Sequence, residues 1–152
     1  GGMVKNLHGQ KNLYYQVNAT YYSALGASDE KMLLARAIQM FMPGKPQVWY
    51  LDLFAGKNDH EAVQRAGESG HKEINRTNLS TDQIAEGLKK DVVQKQLALI
   101  RMRNTHKAFS EGAEVAISGG ERSLEIRWEY NSAFATLYVN FESGTYTIVE
   151  SR

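Results

Sequence analysis

The feature that most constrains the fold is an unbroken apolar run in the first half of the chain. It lies within "PQVWYLDLFAG", residues 46–56, and is apolar from Val48 to Phe54 at every position except Asp52. A strand with one solvated face alternates between apolar and polar residues, so this run predicts a strand at 46–54 buried on both faces, as in parallel sheets. A helix is predicted just before it, at residues 28–42. Helix, short turn and buried strand is the order of an α/β repeat.

The predicted strand lacks parallel neighbours. Parallel strands are joined by crossover units, and the chain shows at most one such unit. An unpaired strand would leave apolar surface exposed, at roughly 25 cal/mol per Å². The pattern therefore predicts that the chain is the C-terminal part of a longer protein. A small α+β domain, in which strands from later in the chain supply the partner, is the alternative.

The rest of the chain divides by its hydrophobic period. A Gly- and charge-rich loop is predicted at 55–79, and a helix at 81–105 that begins with a capping box at Ser80 and is weakened at Gly87. From residue 113 the period is two, which predicts an antiparallel meander of about four strands. Its predicted turns are Gly119-Gly120, Asn131-Ser132 and Ser143-Gly144.

Composition excludes several classes of function. The net charge is +1 and the basic residues are spread out, so neither nucleic acid nor an anionic membrane is an expected partner. There is no cysteine, and the four histidines lack zinc-ligand spacing, so no metal and no cofactor are predicted. The longest apolar helical stretch, residues 32–42, is too short to cross a bilayer. With no secretory signal pattern at the N-terminus, we expect a cytoplasmic protein.

Four blocks of sequence carry a family resemblance. The blocks are "YYQVNATYYSALG", "ARAIQMFMPGKPQVWYLDLFAGKND", "EINRTNLS" and "RMRNTHKAF". In order and spacing they resemble the C-terminal third of the sucrose phosphorylases and their relatives in glycoside hydrolase family 13. The resemblance implies α/β followed by all-β: the last part of a (β/α)8 barrel (about helix 7, strand 8 and helix 8) in residues 1–110, and a small antiparallel β domain in residues 111–152.

The resemblance also implies a chemistry. Such enzymes work by retaining double displacement, with an Asp nucleophile, a Glu acid/base and a second Asp that braces the substrate. All three lie upstream of the matched region, so no catalytic residue is predicted in this chain. We expect the chain to be inactive alone and to need the missing N-terminal part of the barrel. The implied substrates are a small sugar, sucrose or a related α-glucoside, and inorganic phosphate, giving α-glucose 1-phosphate.

Four residues are predicted to bind substrate. Arg76 matches the arginine of the family's "INR" motif at the floor of the glucose subsite, where its planar fork of donors suits a carboxylate and sugar hydroxyls. Tyr15 and Gln16 match the "YQ" of a loop on the acceptor side. Asp52 lies near the C-terminal end of the predicted strand, where barrel enzymes place functional groups. For Asp52, contact with ligand and contact with loop backbone are equally open.

Departures from the family pattern leave open which group, other than the glucosyl group, the site binds on its acceptor side. Leu13 stands where the sucrose enzymes have an Asp that helps to hold fructose. Lys5, His8 and Lys11 nearby could favour a phosphorylated acceptor such as fructose 6-phosphate, although solvated loop charges are the simpler interpretation. Sucrose 6-phosphate, glucosylglycerol and glucosylglycerate are the alternative substrates.

A different class of function is a non-enzymatic carbohydrate-binding module. Aromatic residues on a flat sheet could stack on glycans, and Trp128, Tyr130 and Tyr138 lie on the predicted strands. The alternation places Trp128 and Tyr130 on the apolar face, which favours a place in the core.

Overall fold

A computed structural model describes residues 1–7, 10 and 13–151, apart from the side chains of Tyr15 and Ser69. These residues form two compact units, one of residues 1–32 and 48–93 and the other of residues 33–47 and 94–152. Two helices contain the points at which the chain passes from one unit to the other: α2 (Asp29–Phe41) and α6 (Asp91–Thr105). Over the described ranges, no helix combines the length and the apolarity that a membrane crossing needs.

The first unit is built from short elements. It holds an antiparallel hairpin of β1 (Met3–Asn6) and β2 (Tyr14–Asn18). Four short α-helices follow, α1 (Tyr21–Ala24), α3 (Tyr50–Leu53), α4 (His60–Ala66) and α5 (Thr81–Gly87). A 3₁₀ helix, Gly67–Asn75, continues from α4. Met32, Leu51, Ile74 and Val93 are buried.

The second unit contains a four-stranded antiparallel sheet in the order β3-β4-β5-β6, which confirms the predicted meander. The strands are β3 (Glu114–Gly120), β4 (Ser123–Tyr130), β5 (Ala133–Asn140) and β6 (Thr145–Glu150). Ile126 pairs with Leu137 and Trp128 with Ala135, and all four side chains are buried. The Trp128 indole Nε1 donates to the Phe41 carbonyl at 2.6 Å, so this ring is part of the core.

The predicted helices are present, and the helix predicted to be weakened at Gly87 is interrupted there. Residues 29–41 are helical as expected, and the helix predicted at 81–105 is split into α5 and α6 just after Gly87. The capping box is present: the Ser80 hydroxyl accepts from the Gln83 amide at 3.2 Å, and the Gln83 side chain accepts from the Ser80 amide at 2.8 Å. The two orphan donors of the first turn are thereby satisfied.

The strand predicted at 46–54 is wrong. Residues 45–49 have no regular structure and residues 50–53 form α3. Trp49 keeps extended backbone angles, φ −71° and ψ 137°, but a strand exists only beside a hydrogen-bonded partner. Among the described residues none pairs with this run. Leu51 is the buried residue of α3, whereas Trp49 is 48% exposed.

Three further expectations are corrected. The loop predicted at 55–79 contains α4 and the 3₁₀ helix. Residues 1–27 are rich in Gly, Asn and Tyr and show no sustained hydrophobic period, which predicts a loop with one short helical turn; they contain the β1–β2 hairpin as well as that turn, α1. Gly119 and Gly120 are not a turn but the end of β3, and the chain reverses at residues 121–122.

Candidate functional site

Arg76 lies on the rim of a polar cleft in the first unit. The cleft has a volume of about 500 Å³. Its lining is mostly polar: Asp59, Ala62, Arg65, Ala66, Glu73, Arg76, Thr77 and Asn78. Arg76 follows the 3₁₀ helix directly, and its side chain is exposed. Arg76 is therefore accessible to a ligand, and it shares the lining of the cleft with two acidic residues, Asp59 and Glu73.

The backbone on both sides of Arg76 is held by two aromatic side chains. The Trp49 indole Nε1 donates to the Asn75 carbonyl at 3.0 Å. The Tyr50 hydroxyl donates to the Thr77 carbonyl at 2.7 Å. The two rings also contact each other, with centroids 4.9 Å apart. The run that looked like a buried strand thus supplies two donors to the segment of Arg76.

Asp59 adds a third anchor to the same segment. It caps α4, because its carboxylate accepts from the Ala62 amide at 2.8 Å. Its second oxygen accepts from the Thr77 hydroxyl at 3.1 Å, and its backbone amide donates to the Ile74 carbonyl at 2.8 Å. The Ala62 amide, then the Thr77 hydroxyl and the Arg65 charge, hold the pKa of the Asp59 carboxyl below its ordinary value, against the opposing effect of burial.

Asp59, Trp49 and Tyr50 were not predicted as site residues. Asp59 could have been found from its sequence, since an Asp three residues before Ala62 is an N-cap pattern within "NDHEAVQRA". The sequence contains no comparable signal for the roles of Trp49 and Tyr50. The apolar pattern of the run is the same whether or not the indole N–H and the phenol O–H form hydrogen bonds.

Asp52 binds backbone in this structure. Its side chain is half-buried, and one carboxylate oxygen accepts from the Tyr21 amide at 2.6 Å, at the start of α1. Nearby, the Asn58 side chain accepts from the Thr20 amide at 2.7 Å. The Asn75 side chain donates to the Ala19 carbonyl at 3.2 Å. The last of these bonds ties the segment after β2 to the residue that precedes Arg76. A ligand contact by Asp52 remains a prediction.

Tyr15 and Gln16 lie on β2. Lys5 pairs with Gln16 and Asn6 with Tyr14, so the register shifts by one residue and Tyr15 is the extra residue of a β-bulge. Gln16 is half-buried. The Tyr15 side chain, together with His8 and Lys11, falls outside the described part of the chain. Their predicted roles, like that of Gln16, remain predictions.

The sheet offers little to a glycan. Trp128 is 8% exposed and its indole is bonded to Phe41. Tyr138 is exposed but faces the side opposite to Trp128, because it lies at odd spacing from Ala135, the partner of Trp128. Over residues 1–7, 10 and 13–151, no group of three or more His, Asp or Glu residues could hold a metal ion.

Comparisons with known proteins give a consistent result. No protein-family profile matches the chain. It is 54% identical over 151 residues, 97% of its length, to a sucrose 6(F)-phosphate phosphorylase of Ilumatobacter coccineus, of which this covers 29%. It is 44% identical over 137 residues, 90% of its length, to a sucrose phosphorylase of Agrobacterium vitis, of which this covers 28%.

A solved structure matches the whole chain. The crystal structure of sucrose 6F-phosphate phosphorylase from Thermoanaerobacter thermosaccharolyticum superimposes with a TM-score of 0.90 at 38% identity. The match covers 100% of this chain and 32% of that one. The chain thus spans less than a third of the length of the relatives named here.

These matches define the class first: the chain is homologous to carbohydrate phosphorylases. Within that class it is similar over nearly its whole length to sucrose and sucrose 6(F)-phosphate phosphorylases and corresponds to their C-terminal part. The resemblance read from the four sequence blocks is therefore confirmed. The expected order of an α/β region followed by an antiparallel β region is confirmed as well.

Proposed function

We propose that this chain forms part of a phosphorylase that transfers a glucosyl group from an α-glucoside of the sucrose type to inorganic phosphate, with retention of configuration. The support is homology over nearly the whole chain to proteins named as phosphorylases. The nucleophile and the acid/base are assigned to the part of the enzyme that precedes the matched region. The chain alone is accordingly inactive, and its own contribution is to substrate binding.

Arg76 is the residue that carries this proposal. It matches the motif arginine of the family, and its exposed guanidinium lines a polar cleft with Asp59 and Glu73. A guanidinium presents five donors in a planar fork, so it can bind sugar hydroxyls and a carboxylate at the same time. Arg76 would hold the glucosyl group while Gln16 and Tyr15 shape the acceptor side.

For the leaving group of the glucoside, which would occupy the acceptor side of the site, we propose a phosphorylated sugar, fructose 6-phosphate, so that the glucoside is sucrose 6-phosphate. One supporting observation is the 54% identity to the sucrose 6(F)-phosphate phosphorylase of Ilumatobacter coccineus; a second protein of that name is 42% identical, against 44% for a sucrose phosphorylase. Leu13 in place of the fructose-binding Asp, and the nearby exposed cation Lys5, agree with it. A glucosylglycerol phosphorylase of Marinobacter adhaerens, at 38% identity, represents the alternative acceptors.

A chimera tests the proposal. Residues 1–152 replace the matching segment of the Ilumatobacter coccineus relative, and release of glucose 1-phosphate is measured with sucrose 6-phosphate, sucrose, glucosylglycerol and glucosylglycerate. We expect phosphate-dependent release with the highest kcat/KM on sucrose 6-phosphate, and no release by the chain alone. The unaltered relative is the control. A folded chimera that is inactive on all four substrates would contradict the proposed function, and a preference for sucrose would contradict the acceptor.

A further inference from the structure

We propose that Trp49 and Tyr50 are positioning residues for Arg76: they fix the two peptide groups that flank it and thereby aim its guanidinium into the cleft. The inference deepens the proposed function, on which it rests, because it concerns how the same glucosyl site is held. Neither residue is proposed to touch substrate.

Arg76 itself lies outside regular secondary structure. Its backbone angles are φ −124° and ψ 20°, outside both helix and strand, so no regular ladder of hydrogen bonds fixes it. Its amide donates to the Glu73 carbonyl at 3.2 Å, which closes the 3₁₀ helix before it. Beyond that bond, the orientation of the segment depends on side chains that reach it from elsewhere in the chain.

The two aromatic donors bind on either side of Arg76. Trp49 binds the carbonyl one residue before Arg76 and Tyr50 binds the carbonyl one residue after it. Adjacent residues of one short segment therefore fix both sides of the arginine. Bonds to Asn75 and Thr77 at 3.0 and 2.7 Å are well within hydrogen-bonding range.

Exposure separates the two aromatic residues from the residue that follows them. Trp49 is 48% and Tyr50 is 37% exposed, whereas their neighbour Leu51 is 2% exposed. In this segment Leu51 is therefore the residue that buries most of its apolar side chain. Tyr and Trp combine a large ring with one polar atom, and here both polar atoms are bonded to the segment of Arg76. The two rings also contact each other, with centroids 4.9 Å apart.

Removing one hydroxyl tests the inference. In the chimera, Tyr50→Phe deletes the donor to Thr77 and keeps the ring. Small misplacement of a substrate-binding group is costly, so we expect kcat/KM on sucrose 6-phosphate to fall about 10-fold with little change in Tm. The matched control is Tyr22→Phe, which removes a hydroxyl bonded to Asp29 at 2.8 Å in the same unit and should leave kcat/KM unchanged.

A double-mutant cycle separates positioning from general stability. If Tyr50 acts through Arg76, Tyr50→Phe should cost little in a chimera that already carries Arg76→Lys. Equal losses in both backgrounds would overturn the inference while leaving the proposed function intact. Failure of the proposed function itself would appear as a folded parent chimera that is inactive.

A readout without catalysis completes the test. Hydrogen exchange of a peptide covering residues 74–78 should be faster in Tyr50→Phe than in the parent, and unchanged in Tyr22→Phe. Unaltered exchange of that peptide in Tyr50→Phe would overturn the inference whether or not the chimera is active.

Discussion

At the scale of single residues, Arg76 illustrates what a motif can and cannot reveal. The motif predicted the residue, but its surroundings came from the structure: an exposed side chain on a polar cleft and a backbone held by Trp49, Tyr50 and Asp59. None of these anchors is close to Arg76 in sequence, since they lie 17 to 27 positions upstream. Sequence periodicity reports burial and local geometry, and it carries no information about hydrogen bonds over such separations.

The Asp59 carboxylate should make stability depend on pH in acid. Its pKa is lowered in the folded chain, from an ordinary value of 3.8, so its stabilising contribution is full above that value and is lost as pH falls through the lower folded pKa. We expect Asp59→Asn to reduce the free energy of unfolding at neutral pH and to flatten its decline below about pH 4. Urea unfolding across the acid range would measure this.

A second substitution, Thr77→Val, serves as a comparison for the effect of Asp59→Asn on stability in acid. It removes the Thr77 hydroxyl, one of the donors that lower the pKa of the Asp59 carboxyl, and leaves the Ala62 amide in place. Its acid dependence should lie between those of the parent and Asp59→Asn. An acid decline of the same slope in the parent and in Asp59→Asn would show that this carboxylate is not coupled to folding.

At the scale of elements, the sequence predicted those whose stabilising contacts are local. The capping box at Ser80 and the helix-weakening Gly87 placed α5 and α6, and the period of two placed the four-stranded sheet. The run at 46–54 failed because a strand is defined by its neighbour, which no local pattern encodes. The β1–β2 hairpin was missed for the related reason that its strands are short and mostly exposed.

Two adjacent glycines at the end of β3 should behave differently. A Cβ at Gly119 would lie 2.4 Å from the Ser123 carbonyl oxygen, which is backbone and cannot move aside without disturbing β4. A Cβ at Gly120 would meet nothing closer than the Ser123 hydroxyl at 3.9 Å. We expect Gly119→Ala to lower the free energy of unfolding by about 1–3 kcal/mol.

Gly120→Ala is the matched control, and we expect it to be near neutral. Chemical denaturation of the two variants beside the parent would measure the difference. Equal stability of the two variants would show that the close approach at Gly119 does not constrain the residue there.

At the scale of the whole molecule, the chain corresponds to only part of its relatives, and we propose that its contribution is to substrate binding. It matches 29% of one phosphorylase and 32% of the chain in a solved structure of another. The acidic residues implied for catalysis are assigned outside that part, whereas the motif arginine lies inside it. Substrate binding by Arg76 is therefore the claim about this chain that can be tested on its own residues.

The most direct measurement compares two arginines of the same cleft in the chimera. Arg76 and Arg65 both line it, but Arg65 is 68% exposed and lies 3.6 Å from Glu61, with no match to the family motif. We expect Arg76→Ala to lower kcat/KM on sucrose 6-phosphate by about 100-fold, corresponding to the loss of one or two charge-assisted hydrogen bonds, and Arg65→Ala to change it less than about 3-fold. Equal effects of the two substitutions, or an Arg76→Ala chimera as active as its parent, would contradict the account.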